Sequence, residues 1–328
     1  MIVVTGGAGF IGSNIVAALE ARGGADIVVC DRLPGDERWK NVANRTLAAK
    51  VSPERLFDFL RANAGAIDAI IHMGAISSTT ETDFGLLIEN NYLLSLALWD
   101  WCTDNGARFL YASSAATYGD GAAGFDDDAA PGALAKLRPL NPYGWSKHMF
   151  DRRIVRLLAA GAARPRQWAG FKFFNVYGPN EYHKGSQRSV VHQAWDTAAA
   201  AKPVVLFRSH RTGIADGEQA RDFVYIDDAV DVVLWFLDHP DVSGLFNLGS
   251  GTARSFKDLA LAVFAAAQRK ARIEFTDTPE AIRERYQYFT EAPMQRLRNA
   301  GYARPFTSLE EGVRRYVQDF LATNHPYR

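Results

Sequence analysis

Cysteine is scarce in this chain: Cys30 and Cys102 are the only two among 328 residues. Neither belongs to a CxxC pair and both stand in apolar surroundings. A disulfide framework and a cysteine zinc site are therefore excluded, and buried thiols in a reducing compartment are expected. An excess of either charge is also missing, since 37 Lys and Arg face 37 Asp and Glu. That balance excludes the basic face of a nucleic-acid binder and an electrostatic grip on an anionic membrane. No apolar run nears the roughly 20 residues that cross a bilayer. The chain enters its first strand within two residues, which leaves no room for a signal peptide and predicts a cytoplasmic protein. His72, His183 and His192 share no metal-ligand spacing, so no metal is expected. What remains is 48% hydrophobic and 23% charged. That is the composition of a globular chain able to bury a core, long enough for two domains.

The most informative stretch is the first. Ile2-Val3-Val4-Thr5 reads as a buried strand, and Gly6-Gly7-Ala8-Gly9-Phe10-Ile11-Gly12 follows at once. Ser13 to Arg22 has helical apolar spacing and stops at Gly23-Gly24, and Ile27 to Cys30 is a second strand ending at Asp31. In such a βαβ unit Gly6 allows the tight turn, Gly9 lets a pyrophosphate approach the backbone, and Gly12 lets helix and strand pack closely. The helix start offers free N–H groups and a positive dipole end. An acid about 20 residues past the glycines, here Asp31, is placed for an adenosine ribose. The unit predicts a bound dinucleotide. Arg32 directly follows that acid, where it either pairs with a 2′-phosphate or is a solvated loop residue. With Arg38 it tips the reading toward NADP over NAD.

The cadence continues as strand and helix. Pro53 to Asn63 reads as an amphipathic helix, and Ile67 to Met73 as a strand running into the polar loop Gly74 to Thr80. Asn90 opens a helix to Cys102, and Phe109 to Ala112 is a strand ending in Ser113-Ser114. Asp120 to Pro139 reads as a surface insertion, with Asp126-Asp127-Asp128 solvated. A helix from Tyr143 to Leu158 and a strand from Gly170 to Phe174 follow. Helices at Val190–Ala201, Asp227–Leu237 and Ser255–Gln268 alternate with strands at Arg221–Ile226 and Phe246–Leu248. The pattern predicts an α/β fold, a doubly wound parallel sheet with a smaller C-terminal α/β domain.

Tyr143 and Lys147 stand four apart on one helix face. A phenol with a pKa of about 10 is a poor base at neutral pH, and a nearby ammonium lowers that value. Ser114, ending its strand, can hydrogen-bond the reacting oxygen. Phenolate, hydroxyl and nicotinamide together suffice for reversible oxidation of an alcohol.

With Thr5–Gly12, Ser113–Gly119, Tyr143–Lys147 and Asn175–Pro179 in place, the chain resembles the extended short-chain dehydrogenase/reductase superfamily over nearly its whole length. That resemblance implies an NADP-binding Rossmann domain over 1–174, with returns from about 221–250, and a nucleotide-sugar domain over 175–328. Gly74–Glu81, Tyr111–Gly119, His183–Ser186, Arg221–Tyr225 and Arg285–Gln287 are similar to one branch, the 6-epimerases of ADP-linked heptoses. The branch oxidises the carbon-6 alcohol to an aldehyde and returns the hydride to the other face, with no net redox change. The C-6 oxygen occupies different positions in the two epimers, so a second proton carrier is useful. By resemblance Tyr143 serves one epimer and Lys184 the other, with Ser114 and Lys147 assisting; without it Lys184 would read as a solvated loop lysine.

The same resemblance implies that Gly6, Gly9, Phe10, Ile11, Gly12, Asp31, Arg32, Arg38, Met73, Gly74, Ala75, Ile76, Ser77, Asn90, Lys147, Val176 and Lys184 hold the cofactor. Ser77, Asn175, Ser186, Gln193, Phe207, Arg208, Ser209, His210, Arg221 and Tyr286 are implied to meet the nucleotide-sugar. Arg221, bidentate and always charged, suits the diphosphate. Met73 stands where the family often has an acid, and Arg32 where it often has Asn. A homo-oligomer, often a pentamer, is implied. A UDP-hexose 4-epimerase would use Ser114, Tyr143 and Lys147 equally; Lys184 and Ser77–Thr80 separate the two. A cofactor-sensing binding protein would have lost Tyr143 or Lys147, and both are present. A 4,6-dehydratase would need acids where Ala115 and Ala116 stand.

Overall fold

The computed structural model describes residues 1–32, 36–283 and 286–328. Its first half alternates β1 (Ile2–Thr5), α1 (Phe10–Arg22), β2 (Ile27–Cys30), β3 (Ala49–Val51), α2 (Leu56–Ala62), β4 (Ala69–His72), α3 (Phe84–Leu87), α4 (Leu94–Asp104), β5 (Arg108–Ser114), α5 (Pro131–Leu134), α6 (Pro142–Ala159) and β6 (Trp168–Phe173). The second half carries β7 (Asn175–Tyr177), α7 (Val190–Ala199), β8 (Val204–Phe207), β9 (Ala220–Tyr225), α8 (Ile226–Asp238), β10 (Gly244–Leu248), β11 (Ala253–Ser255), α9 (Phe256–Ala266) and β12 (Ile273–Thr276). It closes with α10 (Glu280–Arg283), α11 (Gln295–Asn299) and α12 (Leu309–Tyr316).

Seven strands form one sheet in the order β10-β6-β5-β4-β1-β2-β3, every neighbouring pair parallel. This is the doubly wound sheet the sequence predicts. The runs Ile2–Thr5, Ile27–Cys30 and Ala69–His72 are buried at every residue, as expected for strands covered by helices on both faces. Strand order reverses between β1 and β4, and ligands of such sheets lie at the carboxyl ends of the strands there. His72, at the end of β4, is wholly enclosed. Its Nδ1 lies 2.6 Å from Thr5 Oγ1 and its Nε2 3.0 Å from Ser95 Oγ, and burial pushes its pKa down to about 3.

The remaining strands form two small sheets. In one, β9 pairs parallel with β7 and antiparallel with β11; in the other, β8 and β12 run parallel. One apolar cluster runs from Ile2 and Val29 of the large sheet through Val224 to Val313 of α12, so a continuous core joins the small sheets to the large one. Cys30 and Cys102 are both buried free thiols. No helix among the described residues is long and apolar enough to cross a membrane.

Two expectations are corrected. The helix placed from Asn90 begins earlier, at Phe84, because Asp83 Oδ1 accepts the Leu86 N–H at 2.9 Å and caps it; a π-helical turn over Ile88–Leu93 then leads into α4. The triple aspartate is not all solvated. Asp127 is buried, and its Oδ2 accepts the Asn247 N–H at 2.8 Å, so the insertion is tied down to β10. Burial raises the Asp127 pKa.

Candidate active site

The turn after β1 is built for close approach. Gly6 has φ +62°, and a Cβ there would sit 2.6 Å from Gly74 N; one on Gly12 would sit 2.1 Å from Gly6 O. Helix α1 starts at Gly9 with no side chain capping it and no acid in its first turn. Its N–H groups are thus left for an anion. Asp31 is buried at the end of β2, and its Oδ2 accepts the Ala8 N–H at 3.0 Å. Burial raises its pKa, and the Ala8 amide and the Arg38 guanidinium pull it back. These residues fit a dinucleotide: a cradle that any Cβ would fill, an uncapped helix start and a ribose-height carboxylate.

The two arginines differ. Arg38 Nη1 lies 3.5 Å from Asp31 Oδ1, at the adenosine end, with its Nε on Asp36 Oδ2 at 2.8 Å, while Arg32 is turned to Glu54 at 2.9 Å, further out in solvent. Met73, Gly74, Ala75 and Ile76 follow β4 directly. Asn90 Nδ2 donates into its own helix at Leu86 O, whereas Asn91, which sequence reasoning passed over, grips Ile76 through both backbone groups. Ser77 is exposed beside them.

A cavity of about 520 Å³ opens beside this crevice and is lined by Ser114, Tyr143, Asn175, Arg221 and Tyr286, five residues the sequence singled out. Asn141 Oδ1 accepts the Gly144 N–H at 2.8 Å and Pro142 fills the first helical position, so α6 begins here and sets Tyr143 in its first turn. A Cβ on Gly144 would lie 2.7 Å from Ala116 O, so the helix packs tightly on the turn after Ser114. Burial pushes the Tyr143 phenol up from its ordinary value, and the Ser114 hydroxyl pulls it back. Lys147 is buried one turn on, with Nζ donating to Ala112 O at 2.8 Å; burial lowers its pKa to about 8. Burial, not the Lys147 ammonium, sets the direction of the Tyr143 shift here.

Opposite, Arg221 of β9 is buried against the rings of Tyr286 and Phe256, each 5.5 Å from its guanidinium carbon, and donates to Gln287 O. Its neighbour Asp222 accepts from Ser250 N and Oγ, Gly251 N and Ala292 N, which fixes the wall behind it. Phe207 meets Tyr286 edge-on at 5.8 Å. The rest of that loop stands behind this wall: Arg208 lies between Asp216 and Asp277, Ser209 N donates to Asp216, and His210 N to Tyr288 Oη.

The loop over 181–189 does not line the cavity. Lys184 Nζ sits 5.4 Å over the Phe10 ring, on the dinucleotide side, with burial lowering its pKa and Glu181 raising it. Gln193 Nε2, on α7, donates to Ser186 O of this loop, and neither residue lines the cavity. Ile11 and Val176 are half-buried beside the crevice strands. Arg285 lies outside the described residues. Gln287, Thr290, Asn141 and Thr79 line the cavity without having been singled out as site residues; Gln287 carried a signal through its place beside Tyr286, and Thr79 through the Ser77–Thr80 block.

Residues 2–249 match the family described as NAD dependent epimerase/dehydratase. The chain is 48% identical over 329 residues to the ADP-L-glycero-D-manno-heptose-6-epimerase of Nitratidesulfovibrio vulgaris (strain DP4), with both chains covered completely. It superposes on the crystal structure of the Helicobacter pylori ADP-L-glycero-D-manno-heptose-6-epimerase with a TM-score of 0.76 at 28% identity, covering 97% of this chain and 95% of that one. The Thermus thermophilus UDP-glucose 4-epimerase, solved in complex with NAD, gives a TM-score of 0.74 at 27% identity, covering 96% and 97%.

Proposed function

The chain belongs to the NAD dependent epimerase/dehydratase family, and on that footing we propose that it inverts carbon 6 of ADP-D-glycero-D-manno-heptose to the L-glycero epimer. The reaction is a step toward lipopolysaccharide core. The observation that carries this reading is one cavity lined by Ser114 and Tyr143, from β5 and α6, together with Arg221 from β9 of a small sheet. A hydroxyl-oxidising pair and a diphosphate-binding cation thus face the same space, beside a dinucleotide cradle.

A nicotinamide dinucleotide is the cofactor of this family, and the Gly6–Gly9–Gly12 turn fits it. When bound, it supplies a reversible two-electron acceptor next to the cavity. NADP is our reading over NAD because Arg38 stands at the Asp31 end, where a 2′-phosphate can pair with it. Arg32, occupied by Glu54, is the weaker partner.

Tyr143 takes the proton of the C-6 hydroxyl, and Ser114 holds the same oxygen. Lys147 stabilises the phenolate and holds the nicotinamide ribose. Arg221 fixes the diphosphate, so the sugar stays while its C-6 group turns about the bond to the ring. The oxygen then lies where Tyr143 does not reach, and Lys184, on the cofactor side of the crevice, returns the proton. The reading carries with it a cytoplasmic homo-oligomer, a pentamer by resemblance, which light scattering would count.

The test is to mix the purified protein with ADP-D-glycero-D-manno-heptose, add no cofactor, and follow position 6 by NMR. Conversion without net NADPH supports the proposal, and Lys184→Ala should slow it by orders of magnitude. An untouched heptose alongside interconversion of a UDP-hexose would overturn it.

A further inference from the structure

Below the catalytic group lies a buried ion pair that the reaction itself does not use. Asp151 is one turn beyond Lys147 on α6, and Lys172 is the penultimate residue of β6; both side chains are fully enclosed. Asp151 Oδ1 accepts from Tyr111 Oη at 2.9 Å, and Oδ2 accepts from Ser113 Oγ at 2.6 Å and from Lys172 Nζ at 3.0 Å. Lys172 Nζ also donates to Thr117 Oγ1 at 2.6 Å, and Thr117 Oγ1 donates on to Ser114 O at 2.8 Å. Ser114 is therefore gripped from both sides. Ser113 before it is tied to Asp151, and its own carbonyl is tied through Thr117 to Lys172.

Such a pair is expensive to bury, and packed apolar residues of similar volume commonly serve as well for stability. Its position suggests another use. We infer that Asp151, held by Lys172, is a positioning residue that sets where Ser114 sits against the Tyr143–Lys147 pair. The inference rests on the reading of Tyr143 as base and deepens it.

The electrostatics point the same way. The Asp151 carboxylate raises the pKa of both Tyr143 and Lys147. Few other charges compete. Burial keeps Tyr111 and Tyr118 protonated, and it holds His72 at about 3 and His148 at about 4, so all four are neutral at working pH. Asp127 faces Tyr118, and Arg152 faces His148. The carboxylate thus keeps the ammonium charged in an enclosed site, and Lys172 keeps the carboxylate in place.

The experiment compares the pH dependence of kcat in the wild type, Asp151→Glu, Asp151→Asn and the double variant Asp151→Asn/Lys172→Met. The double variant removes both charges together and so leaves no unpaired ion should Asp151→Asn alone fail to fold. Removing the negative charge makes the Tyr143–Lys147 pair easier to deprotonate, so the acid limb of the profile moves to lower pH. Asp151→Glu, which keeps the charge, leaves the limb where it is. A folded Asp151→Asn whose rate falls evenly at every pH, with the limb unmoved, overturns the inference and makes the pair a packing element; where only the double variant folds, an unchanged kcat in it does the same. Ultraviolet difference titration of each variant against its Tyr143→Phe counterpart, with NADP bound, reads the phenol without turnover. A shift there in a protein that does not convert the heptose sinks the epimerase reading and leaves this inference standing.

Discussion

Asn91 holds Ile76 at both ends of one residue: its Oδ1 accepts the Ile76 N–H at 2.8 Å and its Nδ2 donates to the Ile76 carbonyl at 2.9 Å. The same Nδ2 lies 3.0 Å from Ser146 Oγ on α6. One amide therefore ties the loop after β4 to the helix that carries Tyr143 and Lys147. Asn91→Ala leaves the Ile76 groups unpaired and should cost roughly 2 to 3 kcal/mol. Thermal unfolding would read that as a lowered midpoint, and the nicotinamide dinucleotide should dissociate about tenfold more readily, since the loop beside the cradle loosens. Unchanged cofactor affinity would mean the clasp serves α6 alone.

Gly12→Ala places a methyl group 2.1 Å from Gly6 O, a backbone atom that cannot turn aside. The start of α1 must shift, and its N–H groups with it. The protein should fold yet be purified without nicotinamide dinucleotide, as read by the absorbance of the released cofactor. Full retention would show that the pyrophosphate does not sit on this turn.

Tyr143→Phe removes only the phenolic oxygen. Turnover should fall roughly 10²- to 10⁴-fold, the usual worth of a positioned acid–base group. Affinity for ADP, titrated by calorimetry, should stay within a few-fold because Arg221 and Tyr286 stand on the opposite wall. A loss of affinity as large as the loss of rate would point to a binding role for the phenol.

Stability should depend steeply on acid. Burial holds His72 at about 3 and His148, His183 and His192 at about 4, all below the unfolded value of 6.5. The unfolded chain binds more protons between these limits, so stability is complete above pH 6.5 and drains as pH falls below it. At pH 5.5 each such histidine costs about 1.4 kcal/mol at most, less where water reaches the ring. His72→Asn, at the most enclosed site, should flatten the fall of the unfolding midpoint between pH 6.5 and 4.5, even if it lowers the midpoint at pH 7. An equally steep fall in that variant would assign the slope to the other three.

How much of this was legible beforehand follows from what each feature depends on. Gly6, Gly9, Gly12 and Asp31 act through local backbone geometry, and short-range spacing announces it. Tyr143 and Lys147 share a helix face for the same reason. Asp151 falls on that face too, four residues on, but its partner Lys172 is in another strand, and no local pattern marks a pairing made by the sheet. Asp127 was read as solvated because consecutive acids point different ways; the Asn247 amide that buries it is 120 residues distant. Lys184 was joined to the site by resemblance alone. The fold puts it on Phe10 and not on the cavity wall, a placement decided by how the loop over 181–189 returns to the start of α1.

The last strand of the large sheet, β10, arrives only after β7 and β9 have been threaded through the smaller sheet. It covers β6, whose six residues are all buried. A fragment ending at Phe174 would leave the backbone N–H and C=O groups along β6 that pair with β10 as an open edge, the kind that recruits strands from other molecules. During synthesis, the dinucleotide half waits for residue 248 before its own sheet is safe from aggregation.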